Sequence, residues 1–268
     1  MEKEQFNLIA YAVAMADYDR ALTIVKELKG HYVTIKDNTL ASIFEKIENA
    51  ITSEKNKEYE KAKISWDEVS KSAKDVDEKI SALAKAFYYY ILATSAKDIE
   101  VELEYRKKAK KEIQKSRDKI LDLFASAEIV IEDPKKQAEL YKKTADEFKE
   151  IGYERNYHYA LGLQYDSLAD ATGKPEERAE LYKKSAEEFK EGEEGDRYHW
   201  AMGWHYSALA RATESSEERA ELYKKSADEF KEGEKEEQYH RAVGWHYSAL
   251  SSATESSEER AELEKKSA

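Results

Sequence analysis

Five of the chain's six histidines, His158, His199, His205, His240 and His246, stand in its C-terminal half. Two of them belong to the heptapeptide "GWHYSAL", found at 203–209 and again at 244–250, with a weaker echo "GLQYDSL" at 162–168. Histidine among 57 acidic residues raises metal chemistry first. A zinc site on a helix wants ligands three or four residues apart on one face. His199 and His205 are six apart, about 240° round a helix, so they do not converge. His199 and His240 can be neighbours across successive copies, yet no carboxylate recurs beside them on their own helix face. The expectation is a ladder of packed or hydrogen-bonded histidines and no metal site.

Other chemistry fares no better. The chain has no cysteine, which removes disulfides, thiolate ligands and a cysteine nucleophile together. It has no nucleophile elbow, Gly-rich phosphate loop, HExxH motif or inward-facing Glu-x-x-His. Its many carboxylates read as solvated faces and i,i+4 pairs. The "YYY" at 88–90 lies in "ISALAKAFYYYILATSA" and reads as core plus rim, not as a cofactor box. No catalytic residue, no cofactor and no enzymatic activity are expected.

The elements that carry these residues are helices. Two prolines and nine glycines in 268 residues, beside abundant Ala, Glu, Lys, Tyr and Leu, leave little room for sheet. A formal charge of −12 argues against a nucleic-acid binder, which needs a basic stripe, and against docking on an anionic membrane. The apolar run from Phe6 to Ala16 lacks a basic leader and is too short to span a bilayer, so it predicts a buried amphipathic helix. A cytoplasmic protein is expected.

Self-comparison sets the architecture. Segments 134–174, 175–215 and 216–256 repeat at a step of 41 residues, and "SEERAELEKKSA" closes the chain as a half copy. Tandem periods of this size mean a stacked solenoid. Each copy reads as two helices. On the first, Ala220, Tyr223, Ala227 and Phe230 form an apolar stripe, with Glu221–Lys225 and Lys224–Asp228 pairs opposite. Pro175 or Ser216 starts it, and Gly192 or Gly233 ends it. The second helix carries "YHRAVGWHYSALSSAT". Upstream, "DYDRALTIVKEL" and "EYEKAKISWDEV" keep the step, with Ala21 and Ala62 again 41 apart, and "LEYRKKAKKEI" at 103–113 echoes "LYKKSADEF". The organisation reads as degenerate hairpins over 1–133, three near-identical repeats over 134–256 and a capping helix over 257–268, without a clear domain boundary. In the cap, Glu264 replaces the Tyr141, Tyr182 and Tyr223 of its sisters, which keeps an uncovered end soluble.

The second helices carry His158-x2-Leu161-Gly162-x2-Tyr165, His199-x2-Met202-Gly203-x2-Tyr206 and His240-x2-Val243-Gly244-x2-Tyr247. Upstream stand Ala21-x3-Val25 and Ala62-x3-Trp66. Together these resemble the W-x2-L-G-x2-Y and A-x3-F signatures of tetratricopeptide-repeat arrays. The period of 41 is longer than the family's 34, and His replaces its Trp. The helical-hairpin arrays of the soluble NSF-attachment type look similar too. The resemblance covers nearly the whole chain. It implies an all-α superhelical solenoid of about seven antiparallel hairpins with a concave peptide-binding groove.

A helical wheel then divides the second helix. With Tyr198 at zero, Ala201, Met202, His205, Tyr206, Leu209 and Ala212 fall within roughly 80° of it, a predicted core face. Gly203 lies at its edge, where a missing side chain lets a neighbouring helix approach. The opposite stripe holds Arg197, Trp200, Trp204, Ser207 and Arg211. Its equivalents are Asn156, Tyr159, Leu163, Asp166 and Asp170 one repeat earlier, and Gln238, Arg241, Trp245, Ser248 and Ser252 one repeat later. The family's concave surface corresponds to this stripe. Repeats two and three differ at about ten positions, among them Arg197/Gln238, Trp200/Arg241 and Arg211/Ser252, all on it.

Three of four tryptophans thus land on a face that one-sided core packing does not need, and large apolar patches are seldom left wet without use. Tyr159, Trp200, Arg241, Leu163, Trp204 and Trp245 occupy the places of the family's carboxylate clamp, so a chaperone-tail clamp is not expected. The reading is a monomeric, non-enzymatic scaffold. Its partners are protein or peptide segments with apolar anchors. The alternative is a structural or engineered model repeat array without a ligand of its own, with weak self-association through the tryptophans.

Overall fold

The computed structural model of the chain describes residues 2–254 and 256–267, without the side chains of residues 2–4 and 257. Its described residues form fourteen consecutive α-helices and no strand. They divide into two compact units, residues 1–129 and 130–268. The first holds α1 (Glu2–Ala14), α2 (Tyr18–Thr34), α3 (Asn38–Lys55), α4 (Tyr59–Ala73), α5 (Glu78–Thr94), α6 (Ile99–Ser116) and α7 (Lys119–Ile129). The second holds α8 (Pro134–Glu150), α9 (Glu154–Ala171), α10 (Pro175–Glu191), α11 (Gly195–Ala212), α12 (Ser216–Glu232), α13 (Glu236–Ala253) and α14 (Ser257–Ser267). Within each unit a helix packs chiefly on its predecessor and successor, the arrangement of an all-α solenoid. In the phase of the repeat, α2–α3 through α12–α13 are six hairpins, with α1 and α14 as half-units.

The helices begin where side chains satisfy free amides. Asp17, Asp37, Asp77, Asp98 and Asp133 each accept a backbone N–H from their own first turn, and Ser215 does so for α12. Pro134 and Pro175 open α8 and α10. At the other end α10 and α12 stop at Gly192 and Gly233, as expected, and the tight turns that follow use left-handed residues. Gly192 and Gly233 follow α10 and α12, but with φ of −78° and −81°. The left-handed residues are the next ones, Glu193 at φ 58° and Glu234 at φ 53°. The glycines are needed for close approach instead: a Cβ on Gly233 would stand 3.0 Å from the His199 Cβ.

The core runs as a seam between successive helices. In the first unit Tyr32 stacks on Phe44 at 5.3 Å, Phe6 meets Phe44 edge-on at 6.4 Å, and Trp66 lies 4.9 Å from Phe87. Ala21, Val25, Ala62 and Trp66, the signature positions, are all buried. The apolar run of α1 is buried as well, through Phe6, Ile9, Ala10, Tyr11, Ala12 and Val13. Buried Asp118 ties the unit together: it caps α7 through Leu121 N (3.0 Å), accepts the Tyr11 hydroxyl (3.0 Å) and lies 3.7 Å from Lys79 Nζ. Tyr88, Tyr89 and Tyr90 are half-buried at the rim of α5.

In the second unit, each first helix contributes the same buried set. It is Ala179, Tyr182, Ser185, Ala186 and Phe189 on α10, and Ala220, Tyr223, Ser226, Ala227 and Phe230 on α12. Each phenylalanine fills the notch of a glycine on the preceding helix. A Cβ on Gly162 would sit 2.6 Å from the Phe189 ring, and one on Gly203 would sit 2.5 Å from Phe230. Burying such a ring is worth about 1.5–3 kcal/mol, and the notch is what permits it.

Two substitutions should move stability in opposite directions. Gly203→Ala forces a methyl into the fully buried Phe230 ring, and is expected to destabilise by about 1–3 kcal/mol although Ala is the better helix former. Glu193→Gly relieves a left-handed, exposed position and is expected to stabilise by about 0.5–1 kcal/mol. Urea unfolding of both variants against the parent chain measures the two signs.

Candidate partner-binding face

The stripe proposed for a partner lies on α9, α11 and α13, and its exposure differs from helix to helix. On α9, Asn156, Tyr159, Leu163 and Asp166 are buried and only Asp170 is exposed. On α11, Ser207 is buried, Trp200 and Trp204 are half-buried, and Arg197 and Arg211 are exposed. On α13, Gln238 and Trp245 are half-buried, while Arg241, Ser248 and Ser252 are exposed. The tryptophans therefore do not stand on a face that packing can spare, and that expectation is corrected. The predicted core face is only partly covered: Ala201 is buried, while Tyr198, Met202, His205, Tyr206, Leu209 and Ala212 are half-buried, like the two tryptophans of α11. The reason is that α11 is packed on two flanks, by α10 and by α12, so one helical wheel with one core direction misassigns it.

The rings form a ladder along the seam. Trp204 lies 5.4 Å from Phe230, 6.2 Å from Trp200, 6.3 Å from Tyr182 and 6.4 Å from Trp245. Trp200 meets Tyr182 edge-on at 6.1 Å, and Tyr223 lies 5.4 Å from Trp245. Two arginines cover ring faces, Arg197 over Tyr159 at 5.9 Å and Arg211 over Trp245 at 5.2 Å.

Beside this ladder opens a recess of about 200 Å³, lined by Asp170, Arg178, Tyr182, Trp200, Trp204, Ser207, Ala208 and Arg211. Its polar wall is held in place. The Arg178 guanidinium donates to the carbonyls of Ala169 (3.1 Å) and Thr172 (2.7 Å), and the Tyr182 hydroxyl donates to Asp170 (2.7 Å). The Trp204 indole nitrogen is buried without a hydrogen-bond partner among the described residues. Arg178 and Tyr182 belong to the first helix of the repeat, so a wheel drawn on the second helix could not find them. A larger cleft of about 740 Å³ lies in the first unit between Phe6, Tyr32, Phe44, Val76, Lys79 and Arg117, where no repeat signature pointed.

At its start the stripe holds a buried acid. Asp166 Oδ1 accepts the Ser185 hydroxyl at 2.5 Å. Burial pushes its carboxyl up to about 7, and neighbouring Asp170 adds to this, against the pull of the Ser185 bond and the Arg197 charge. The next repeat has Ser207 here, which pairs with Ser226 Oγ at 2.8 Å while Ser226 donates to the Gly203 carbonyl at 2.8 Å.

The histidines are tied to their neighbours. His158 Nδ1 lies 2.8 Å from Glu188, and His199 Nδ1 lies 2.8 Å from Glu229. His205 and His246 reach the carbonyls of Ala179 and Ala220 at 2.8 and 2.9 Å. The glutamates come from the following helix, which is why no carboxylate was seen on the histidines' own face.

Because the folded-state Asp166 holds its proton up to about pH 7 and the unfolded one only to 3.8, its contribution is favourable below 3.8 and is lost as pH rises towards 7. Asp166→Asn keeps an acceptor for Ser185 without the charge. It is expected to raise stability at pH 8 by about 1–3 kcal/mol and to change little at pH 4. Burial also pushes Glu54 in the first unit up to about 7, so the readout is the difference in unfolding free energy between variant and parent at each pH. Comparison with known proteins leaves the site to be argued from its geometry: no protein-family model matches the chain, and no curated protein matches it.

Proposed function

We propose that this chain is a non-enzymatic, cytoplasmic scaffold of the tetratricopeptide-repeat kind that binds protein or peptide segments along the α9–α11–α13 stripe of its second unit. The observation that carries this reading is the recess beside Trp200 and Trp204. It combines aromatic walls with Arg178, Arg211 and Asp170 at its margin. Such a recess takes one apolar side chain as an anchor, while the arginines and the aspartate hold polar groups of the flanking backbone. Trp, Tyr and Arg are also the residue types most often found at binding hot spots. No helix among the described residues is long and apolar enough to cross a membrane.

A second reading is favoured by the aromatic ladder itself. Trp204 packs on Phe230 and Trp245, which is how a purely structural array would use its tryptophans. The chain's own repeats supply a variant that separates the two readings. Arg197→Gln, Trp200→Arg and Arg211→Ser convert the second repeat's stripe to the residues that the third repeat already carries on the same scaffold. Peptide-display selection on the parent chain is expected to enrich sequences with an apolar anchor, and the triple variant is expected to lose them with its helical content unchanged. No enrichment, or enrichment indifferent to the triple change, would favour the structural array.

A further inference from the structure

The cleft of about 740 Å³ in the first unit is built where three connections of the array come together. Val76 in the α4–α5 connection and Arg117 in the α6–α7 connection stand one 41-residue step apart, and Tyr32 and Leu40 flank the α2–α3 connection. Helix α1 is laid across this edge instead of touching only its neighbour. Its Phe6 meets Phe44 of α3 at 6.4 Å, and its Tyr11 hydroxyl donates to Asp118 ahead of α7 at 3.0 Å. The apolar part of the cleft is packed and aromatic. Tyr32 stacks on Phe44 at 5.3 Å, and Phe6, Tyr32, Phe44 and Ile80 are all buried although they line it. Such walls are set before any ligand arrives.

Three cations share this lining, Lys79, Lys115 and Arg117, in a chain of formal charge −12. Lys79 Nζ lies 3.7 Å from Asp118, and Lys115 Nζ lies 2.7 Å from Glu112. Arg117 is exposed, in left-handed backbone at φ 58°, and its guanidinium has no partner among the described residues. The lining's two acids, Asp77 and Glu78, stand at the N-terminus of α5. Asp77 accepts the Ile80 N–H at 3.0 Å, and the positive end of the helix offsets both charges. Gln114 is the one uncharged amide side chain of the lining. A peptide brings an N–H and a C=O with every residue, and this cleft offers them little to pair with. A ligand whose polar atoms are gathered in one anionic head fits its chemistry better.

We propose that this cleft is a binding site for a small amphipathic carboxylate. The ligand's apolar body lies against Tyr32, Phe44 and Val76, and its carboxylate is held at the rim by Arg117 and Lys115. The planar fork of a guanidinium matches a carboxylate with two parallel hydrogen bonds, and Arg117 is the cation of the lining that no acid already holds. The volume falls within the range of about 300–1,000 Å³ usual for small-molecule sites. This site lies wholly in the first unit, so it stands or falls apart from the peptide-binding stripe of the second.

The test is isothermal titration of the full-length chain with decanoate, decanol and decyltrimethylammonium below micellisation, one tail with three heads. Decanoate is expected to bind saturably, on the order of tenfold more tightly than decanol, and the cation more weakly than either. Arg117→Glu reverses the rim charge with a residue that the chain already holds in left-handed backbone at Glu193 and Glu234. It should weaken decanoate on the order of tenfold or more, and leave decanol binding and the melting temperature unchanged. Lys115→Gln, a change on an exposed side chain, gives an independent reading and should weaken decanoate by less. The stripe variant Arg197→Gln, Trp200→Arg, Arg211→Ser should bind decanoate as the parent does. No saturable decanoate binding, equal affinity for the three heads, or binding lost in the stripe variant but indifferent to Arg117→Glu overturns the proposal.

Discussion

The close approach of Phe189 to Gly162, and of Phe230 to Gly203, sets the geometry on which the second unit depends. A side chain at either glycine would occupy space that the ring already fills. That contact fixes how near the next helix comes, and nearness decides everything else along the seam. It brings Glu188 and Glu229 within 2.8 Å of His158 and His199, and lets Ser226 reach the Gly203 carbonyl at 2.8 Å. The apolar contact supplies burial, while the polar pairs fix the register, because a buried polar group left without its partner costs about 1–3 kcal/mol.

A solenoid of this kind has no central core, so each helix must be apolar on two flanks instead of one. On α11 that demand falls on residues that would otherwise be free to serve a partner. Trp204 shows the compromise: its ring packs on Phe230 and Trp245, and the same ring walls the recess beside Tyr182. Stability and recognition share that side chain. Trp200, Arg197 and Arg211 lie nearer the margin, and they are the positions of the stripe at which the second and third repeats differ.

The buried polar positions show the same economy at another level. Asp166 and Ser207 occupy equivalent places, yet the first is a carboxyl held towards its neutral form by burial and the second a hydroxyl satisfied by Ser226. The seam tolerates either because the serine of the following helix, Ser185 or Ser226, has a hydroxyl that turns to suit its neighbour. Asp118 in the first unit plays a comparable part by joining three helices through one side chain.

By itself the sequence determined the helices, their period and the buried stripe of every first helix. Those follow from local rules: composition, capping residues, and apolar spacing on Ala220, Tyr223, Ala227 and Phe230. Gly203 was legible as a point of close approach, since a glycine inside a helix asks for a neighbour. The tertiary structure alone decided which flank of α11 is covered, because a wheel gives directions around one helix and not the number of helices that surround it. It also paired His158 with Glu188 and brought Arg178 and Tyr182 beside Trp200, groups joined by stacking rather than by proximity in the chain.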